Sequence, residues 1–114
     1  HGCREPCVEM ENERMYQEVR VGPDQITVVL SGDIFATEAK VIQQSLSGYI
    51  TCGHTRILLD LSGVAFIDGT GLGILVLIHK QIRKVGGHLL IVGLQGEIKE
   101  LIRLTELDKL LEII

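Results

Sequence analysis

The sequence predicts an α/β fold in which a mixed β-sheet carries its helices mainly on one side. Two observations support this prediction. Short runs rich in Val, Ile and Leu, which are typical of buried strands, alternate with segments whose apolar residues recur at helical spacing. Their order along the chain is β-β-α-β-α-β-α, and strands separated by helices pair in parallel through right-handed crossovers.

Composition narrows the class of protein. The 114 residues fit a single domain, and 46% apolar with 23% charged residues is ordinary for a globular protein. The net charge of −4 argues against a nucleic-acid-binding protein, because such proteins usually present a basic surface. No apolar run reaches the ~18 residues that would suggest a membrane span, and no secretory signal is visible. We therefore expect a cytoplasmic protein that does not insert into a membrane.

The beginning of the chain is polar and lacks periodicity. We predict a flexible tail or cloning remnant over residues 1–13 and one folded domain over residues 14–114. The cysteines Cys3, Cys7 and Cys52 are an odd number and cannot all pair within one chain. A zinc site needs about four ligands at fixed spacing, which the scattered histidines do not complete. We predict no metal site, reduced cysteines at the start of the chain, and a buried Cys52.

The first half of the domain is predicted to contain a hairpin and a helix. Apolar and polar residues alternate over residues 15–21, as in a half-buried strand. The β-branched run 26–30 follows after Gly22-Pro23-Asp24, which is strong turn chemistry. Residues 37–51 carry apolar side chains at helical spacing, and Gly53 is placed to end this helix.

The second half of the domain repeats a strand followed by a helix. Residues 56–61 and 88–94 are nearly continuous apolar runs, which we expect in central strands covered on both faces. The predicted helices cover residues 72–85 and 96–105, the first ended by a pair of glycines. Residues 107–114 are apolar and are predicted to form a short helix and the start of a strand.

The most informative segment is the loop Asp68-Gly69-Thr70-Gly71-Leu72-Gly73, between a strand and a helix. Asp68 or Thr70 could cap the helix by accepting a hydrogen bond from an unpaired N–H group. The glycines allow another backbone or an anion to approach the helix start closely. A dinucleotide fingerprint needs glycine where Val76 stands, and no Gly-Lys-Ser/Thr of a P-loop follows.

Candidate catalytic residues are few. The nucleophile motif Gly-x-Ser-x-Gly is absent, and no histidine lies near a serine or cysteine in a known nucleophile arrangement. Asp60, inside an apolar strand, is interpreted as a structural hydrogen-bonding residue. We therefore predict neither enzymatic activity nor a cofactor.

The helix after the loop has two apolar stripes. The stripe predicted to face the sheet follows a 3,4,3 spacing and consists of Leu75, Ile78, Ile82 and Val85. Ile74 and Leu77 lie on a neighbouring flank. Either another helix of the same domain covers them, or they form an exposed patch suited to protein docking, which includes docking in a homodimer.

Residues 57–73, ILLDLSGVAFIDGTGLG, resemble the signature of STAS domains, and most of all that of bacterial anti-sigma factor antagonists. In those proteins an apolar strand is followed by Asp-Leu-Ser and then by Phe-Ile/Met-Asp-Ser-Ser/Thr-Gly-Leu-Gly. The similarity extends over about residues 15–114 and includes the segment Leu-Ser-Gly-Asp-Ile at 30–34. It implies a STAS-like fold.

The resemblance also implies a regulator without catalytic activity or cofactor. Members of the family bind an anti-sigma factor with serine-kinase activity, which frees the sigma factor for transcription. The kinase phosphorylates the hydroxyl residue directly after the Asp of the motif, and a phosphatase restores binding. The partner-binding residues implied for this chain are Asp68, Gly69, Thr70, Gly71, Leu72, Gly73, Ile74 and Leu77.

The sequence departs from the family pattern at the phosphorylated position. Gly69 follows Asp68 and offers no hydroxyl, whereas Thr70 matches the second hydroxyl position and becomes the phosphorylation candidate. Because the Thr70 hydroxyl is also placed to cap the helix, we expect the unphosphorylated form to persist. Phe35 stands where many members have an acidic residue.

Two other functions stay open at this point. One is a STAS module of a stress-signalling assembly or of a transport system. The other is a small nucleotide-binding enzyme that uses the glycine loop.

Overall fold

Alternating apolar residues build a six-stranded sheet in the computed structural model, which describes residues 7–11 and 15–114. The strands lie across the sheet in the order in which they occur along the chain. Their bounds are β1 Cys7–Glu11, β2 Met15–Val21, β3 Ile26–Ile34, β4 Arg56–Ile67, β5 His88–Val92 and β6 Glu112–Ile113. The helices are α1 Ala36–Thr51, α2 Gly69–Lys84 and α3 Gly96–Leu104, and Leu107–Lys109 forms one 3₁₀ turn before β6.

The sheet is mixed, as predicted. The pairs β1–β2 and β2–β3 are antiparallel, whereas β3, β4, β5 and β6 pair in parallel. The predicted hairpin joins β2 to β3 through a turn in which the N–H of Gly22 donates to the carbonyl of Gln25 at 2.9 Å. The three crossovers advance in one direction across the sheet, and right-handed connections of this kind place their helices on one side. The predicted fold class is confirmed.

The core is a single layer between the sheet and the helices. Ile57, Leu59 and Leu89 are almost completely buried, whereas Leu58 and Leu90 on the opposite face are only half-buried. The prediction that the central strands are covered on both faces is therefore wrong. The long apolar runs arise because the strands carry apolar residues even on the face that the helices leave open.

The prediction of a tail over residues 1–13 is wrong for residues 7–11. They form β1 and pair with β2 along their whole length. Apolar and acidic residues alternate from Val8 to Glu11, but four residues are too short a window for the period to stand out. The domain therefore begins before residue 14, and the rest of the predicted tail lies outside the described residues.

Cys52 also differs from its prediction. It is exposed rather than buried, and it is disulfide-bonded. The helix α1 ends at Thr51, and its last buried residue is Ile50, so Cys52 lies at the C-cap, beyond the buried stripe. None of the described helices is long and apolar enough to span a bilayer.

An irregular pairing of β3 with β4 positions the end of β4. The register shifts between Val29 and Ser31 and again between Gly32 and Asp33. Gly63 makes this close approach possible, because a Cβ atom there would lie 2.7 Å from the Cβ of Ser31. The strand β4 consequently continues to Ile67 and delivers the next residue, Asp68, to the carboxyl end of the sheet.

Candidate functional site

Asp68 fixes the start of α2. Its side-chain Oδ1 accepts a hydrogen bond of 2.9 Å from the backbone N–H of Gly71, which makes Asp68 the N-cap. Its own N–H donates to the carbonyl of Ile34 at the end of β3, at 3.1 Å. Of the two capping residues that the sequence allowed, Asp68 therefore performs the role, and such a cap stabilises a helix by about 1 kcal/mol.

Gly71 and Leu72 hold the loop against the sheet. A Cβ atom at Gly71 would lie 2.5 Å from Cγ1 of Ile67 and 3.2 Å from Cγ2 of Ile34, so only glycine lets α2 approach both strands this closely. Leu72 is buried in the core. These two members of the predicted partner-binding set thus lie beneath the surface and support the residues above them.

Gly69, Thr70 and Gly73 are exposed on the first turns of α2. A Cβ atom at Gly69 or Gly73 would meet nothing within 4 Å. The Thr70 hydroxyl makes no hydrogen bond within the part of the chain that the structure describes, because Asp68 occupies the capping position. The expectation that Thr70 caps the helix is therefore wrong, and its hydroxyl is accessible.

The two flanking apolar residues differ in exposure. Leu77 is 46% exposed, whereas Ile74 is half-buried and packs against the core. Both readings of this flank are thus partly realised, since the domain covers Ile74 and leaves Leu77 free. In the sheet-facing stripe Leu75, Ile78 and Ile82 are buried as predicted.

Val85 is the exception in that stripe, because it is 54% exposed. It lies at the C-cap of α2, after the last helical residue, Lys84. The helical spacing that predicted its burial no longer applies there.

Sequence reasoning did not single out an aromatic pair beside the loop. Phe66 is 43% exposed near the end of β4, and its ring centroid lies 5.0 Å from that of Phe35 at an interplanar angle of 37°. The backbone links the pair to the loop, since Ile34, which precedes Phe35, accepts the hydrogen bond from Asp68. These are the two phenylalanines of the chain, and their positions at two strand ends were the available signal.

A cavity of about 160 Å³ lies next to this aromatic pair, between the end of β4 and α3. Its lining consists of Ala65, Phe66, Ile67, Glu97, Ile98 and Leu101. We name the exposed residues Phe66, Gly69, Thr70, Gly73 and Leu77 together the docking face.

Asp60 has a structural role. Oδ1 of Asp60 accepts a 2.9 Å hydrogen bond from the backbone N–H of Ser62, as predicted for a structural aspartate. Gly93, with φ of 80°, packs on both, because a Cβ atom there would lie 2.8 Å from Oδ1 of Asp60. Within the described ranges no group of three or more His, Cys, Asp or Glu residues could hold a metal ion.

The docking face carries no ionisable side chain. It presents two apolar side chains, two glycines and one hydroxyl group, with the half-buried Asp68 at its margin. An uncharged surface with apolar anchors is suited to protein binding, and the hydroxyl is the one side-chain group on this face to which a phosphoryl group could be transferred.

Comparisons with known proteins find matches over most of the chain. A sequence model of the STAS domain matches residues 16–114. The anti-sigma-B factor antagonist of Listeria monocytogenes is 30% identical over 90 residues, which cover 79% of this chain and 79% of that protein. 

Solved structures share the fold. An anti-sigma factor antagonist from Mycobacterium paratuberculosis superposes with a TM-score of 0.79 at 24% identity, covering 90% of this chain and 87% of the other. The Bacillus cell fate determinant SpoIIAA, solved in its phosphorylated form, gives a TM-score of 0.71 at 16% identity, over 86% of this chain and 90% of that one. Both similarities concern the fold alone.

Proposed function

The chain belongs to the STAS domain family, and from this premise we propose that it is an anti-sigma factor antagonist. It acts by binding an anti-sigma factor, which frees a sigma factor for transcription, and its place of action is the cytoplasm, where sigma factors work. The observation that carries the proposal is the docking face, an exposed uncharged surface built on the loop whose sequence matches the family motif.

The docking face has the properties of a protein-binding surface. Leu77 and Phe66 provide apolar anchors, which contribute most of the binding energy in many interfaces once they are desolvated. Gly69 and Gly73 lack side chains, so the backbone of a partner can approach the first turns of α2 closely. Asp68 and Gly71 hold the start of α2 against the sheet. The part of the docking face that lies on this helix is therefore formed before the partner binds.

We further propose that the anti-sigma factor is a kinase and that Thr70 is the residue it phosphorylates. Gly69 has no hydroxyl, and the accessible Thr70 hydroxyl is not occupied as a helix cap. A phosphate at this point adds about −1.5 to −2 charges to an uncharged face, so partner binding would require burying that charge. Phosphorylation should therefore prevent binding.

The phosphorylated domain should remain folded. A negative charge on the first turn of a helix is favourable, because the unpaired N–H groups and the helix dipole are positive there. SpoIIAA, which has this fold, was solved in a phosphorylated form, and this supports a switch that alters the surface and not the fold. The switch then works by blocking the partner.

The test uses the anti-sigma factor kinases encoded in the source genome, purified one by one. Binding of the unmodified chain is measured by calorimetry, and the mass of the chain is measured after incubation with ATP. We expect one kinase to bind and to add one phosphoryl group, about 80 Da, to the wild type and to the control variant Thr55→Val. The group should be absent from Thr70→Val.

The variant Gly69→Ser sharpens the same experiment. A Cβ atom at residue 69 would meet nothing within 4 Å, so we expect the serine to be accommodated and to be phosphorylated in addition. Failure of every anti-sigma factor to bind would overturn the proposed function. Binding without any phosphate on Thr70 would overturn only the proposed switch.

A further inference from the structure

A second, larger cavity lies at the opposite end of α2 from the docking face. It has a volume of about 480 Å³ and is lined by His79, Lys80, Arg83 and Lys84 of α2 and by Leu110. Since a helix rises about 1.5 Å per residue, His79 lies roughly 16 Å along the helix from Asp68. The cavity is a shallow depression that is open to solvent, with room for a small molecule. This cavity, which we name the α2 cavity, is separate from the proposed partner site.

The α2 cavity concentrates positive charge in an acidic protein. The chain has 11 Lys and Arg residues against 15 Asp and Glu residues, yet three of those cations line this one cavity. Among the described residues, no carboxylate belongs to its lining. Oε1 of Glu112 lies 4.0 Å from Nη1 of Arg83 and 2.8 Å from Nδ1 of His88. Arg83 is thus partly neutralised, while Lys80 and Lys84 are exposed and form none of the described ion pairs.

His79 adds an observation that helix stabilisation does not explain. Its side chain is more than nine-tenths buried, and its Nδ1 atom is buried without a hydrogen-bond partner in the described residues. A buried ring nitrogen that finds no acceptor is best left without a proton, which places the proton of the neutral ring on Nε2. The imidazole then offers the cavity an N–H donor.

The lining therefore combines hydrogen-bond donors with apolar surface. Imidazole, ammonium and guanidinium groups donate hydrogen bonds, and phosphate oxygens accept them. Leu110 and the aliphatic stems of the lysines supply apolar surface. The favourable effect of cations on the last turn of a helix accounts for Arg83 and Lys84, but it accounts neither for Lys80 nor for a buried histidine.

We propose that the α2 cavity binds a small organic phosphate, a phosphomonoester with an apolar body. Lys80, Lys84 and the N–H of His79 hold the phosphate, and the apolar body packs against Leu110. Leu110 beside the cations and the open space of the depression leave room for an organic group attached to the phosphate.

The test is a titration of the ¹⁵N-labelled full chain followed by NMR, with n-butyl phosphate, inorganic phosphate and n-butanol as probes. We expect butyl phosphate to cause saturable shifts at the amides of residues 79–84 and 109–112. Inorganic phosphate should bind about tenfold more weakly because it buries no methylene groups, and butanol should not bind.

Two double variants that remove the same positive charge test whether the ligand binds at the α2 cavity or is attracted by the charge of the whole protein. Lys80→Gln combined with Lys84→Gln should weaken butyl phosphate binding by at least about tenfold. Lys40→Gln combined with Lys99→Gln, which alters exposed lysines on α1 and α3, should leave it unchanged. His79→Phe keeps a buried ring without the donor and should also weaken binding; if it does not fold, the lysine pairs still decide.

Three results would overturn the proposal. They are the absence of saturable shifts with butyl phosphate, equal losses in the two lysine pairs, and equal affinity for butyl phosphate and inorganic phosphate.

Discussion

The two halves of α2 share one buried stripe and differ in everything that faces outward. Leu75 and Ile78 hold the middle of the helix to the sheet, and Ile82 continues the contact into its second half. The outward face of the first half, which we take to extend to Leu77, consists of glycine, threonine and leucine, without a charge, whereas the rest of the helix presents Lys80 and Lys84. Packing against the sheet therefore requires apolar residues on the inner stripe of this helix. The residues on its outer face are not constrained by packing and can differ between the two proposed binding sites.

The first half is also held more tightly than the second. It begins at a side-chain cap, a backbone tether to β3 and a glycine in close contact with two strands. The second half ends with Val85 exposed at the C-cap. The end that is proposed to meet a protein partner is thus rigidly positioned, which lowers the entropic cost of binding.

The largest effect expected from this comparison is on partner binding. Leu77→Asp should weaken binding to the anti-sigma factor by at least about 2 kcal/mol, because it places a charge at an apolar anchor. The stability of the fold should change by less than ~0.5 kcal/mol, since Leu77 is exposed. Calorimetry measures the affinity, and urea unfolding measures the stability.

Val85→Asp is the matched control for that variant. It introduces the same charge at an exposed apolar residue at the C-terminal end of α2, and it should leave partner binding unchanged. If both variants weakened binding equally, the docking face would not be confined to the first half.

A smaller effect is expected on stability within the first half. Gly71→Ala should destabilise the fold by about 1–3 kcal/mol, because the new methyl group overlaps Ile67 and Ile34. Gly73→Ala should stabilise it by up to about 1 kcal/mol, because the methyl group meets nothing and alanine favours the helix. Urea unfolding measures the stability of each variant. If both variants were more stable than the wild type, or both less stable, the packing described for Gly71 and Gly73 would be contradicted.

The smallest expected effects are on stability and compare substitutions at the two ends of α2. Asp68→Ala removes the cap and should lower the free energy of unfolding by about 1 kcal/mol, and part of this loss should persist at high salt because a hydrogen bond is lost as well as a charge. Lys84→Gln removes a charge from the last turn and should cost only ~0.3 kcal/mol, an effect that high salt should abolish. Thermal unfolding at low and high ionic strength measures both. A cost for Thr70→Val as large as that for Asp68→Ala would mean that the threonine caps the helix after all.

Local periodicity was enough to predict most of the elements and the inner stripe of α2. Leu75, Ile78 and Ile82 are buried as their spacing predicts, because a helix on a sheet buries one stripe. The same rule failed for Val85, since periodicity does not show where a helix ends. It also failed for the open face of the sheet, because apolar residues such as Leu58 look the same whether a helix covers them or not.

The composition of the candidate site was predictable in part. The motif drew attention to the loop, but it could not decide whether Asp68 or Thr70 caps the helix, since both stand within reach of unpaired N–H groups. The exposure of Phe66 depends on the register shifts between β3 and β4, which are set by residues distant in sequence. His79 had no sequence signal, because its surroundings are assembled from α2 and the segment around Leu110.

The order of the strands across the sheet has a consequence for synthesis on the ribosome. Each strand pairs with the one made just before it, so the sheet can grow at one edge as the chain emerges, without threading a segment between two others. The β2–β3 hairpin closes through a short turn and can form early. Each later strand must wait until a connection of 19–21 residues has been made, at a modest cost in loop entropy. The docking face is therefore completed only after α2 has left the ribosome, when both strands that support it are already in place.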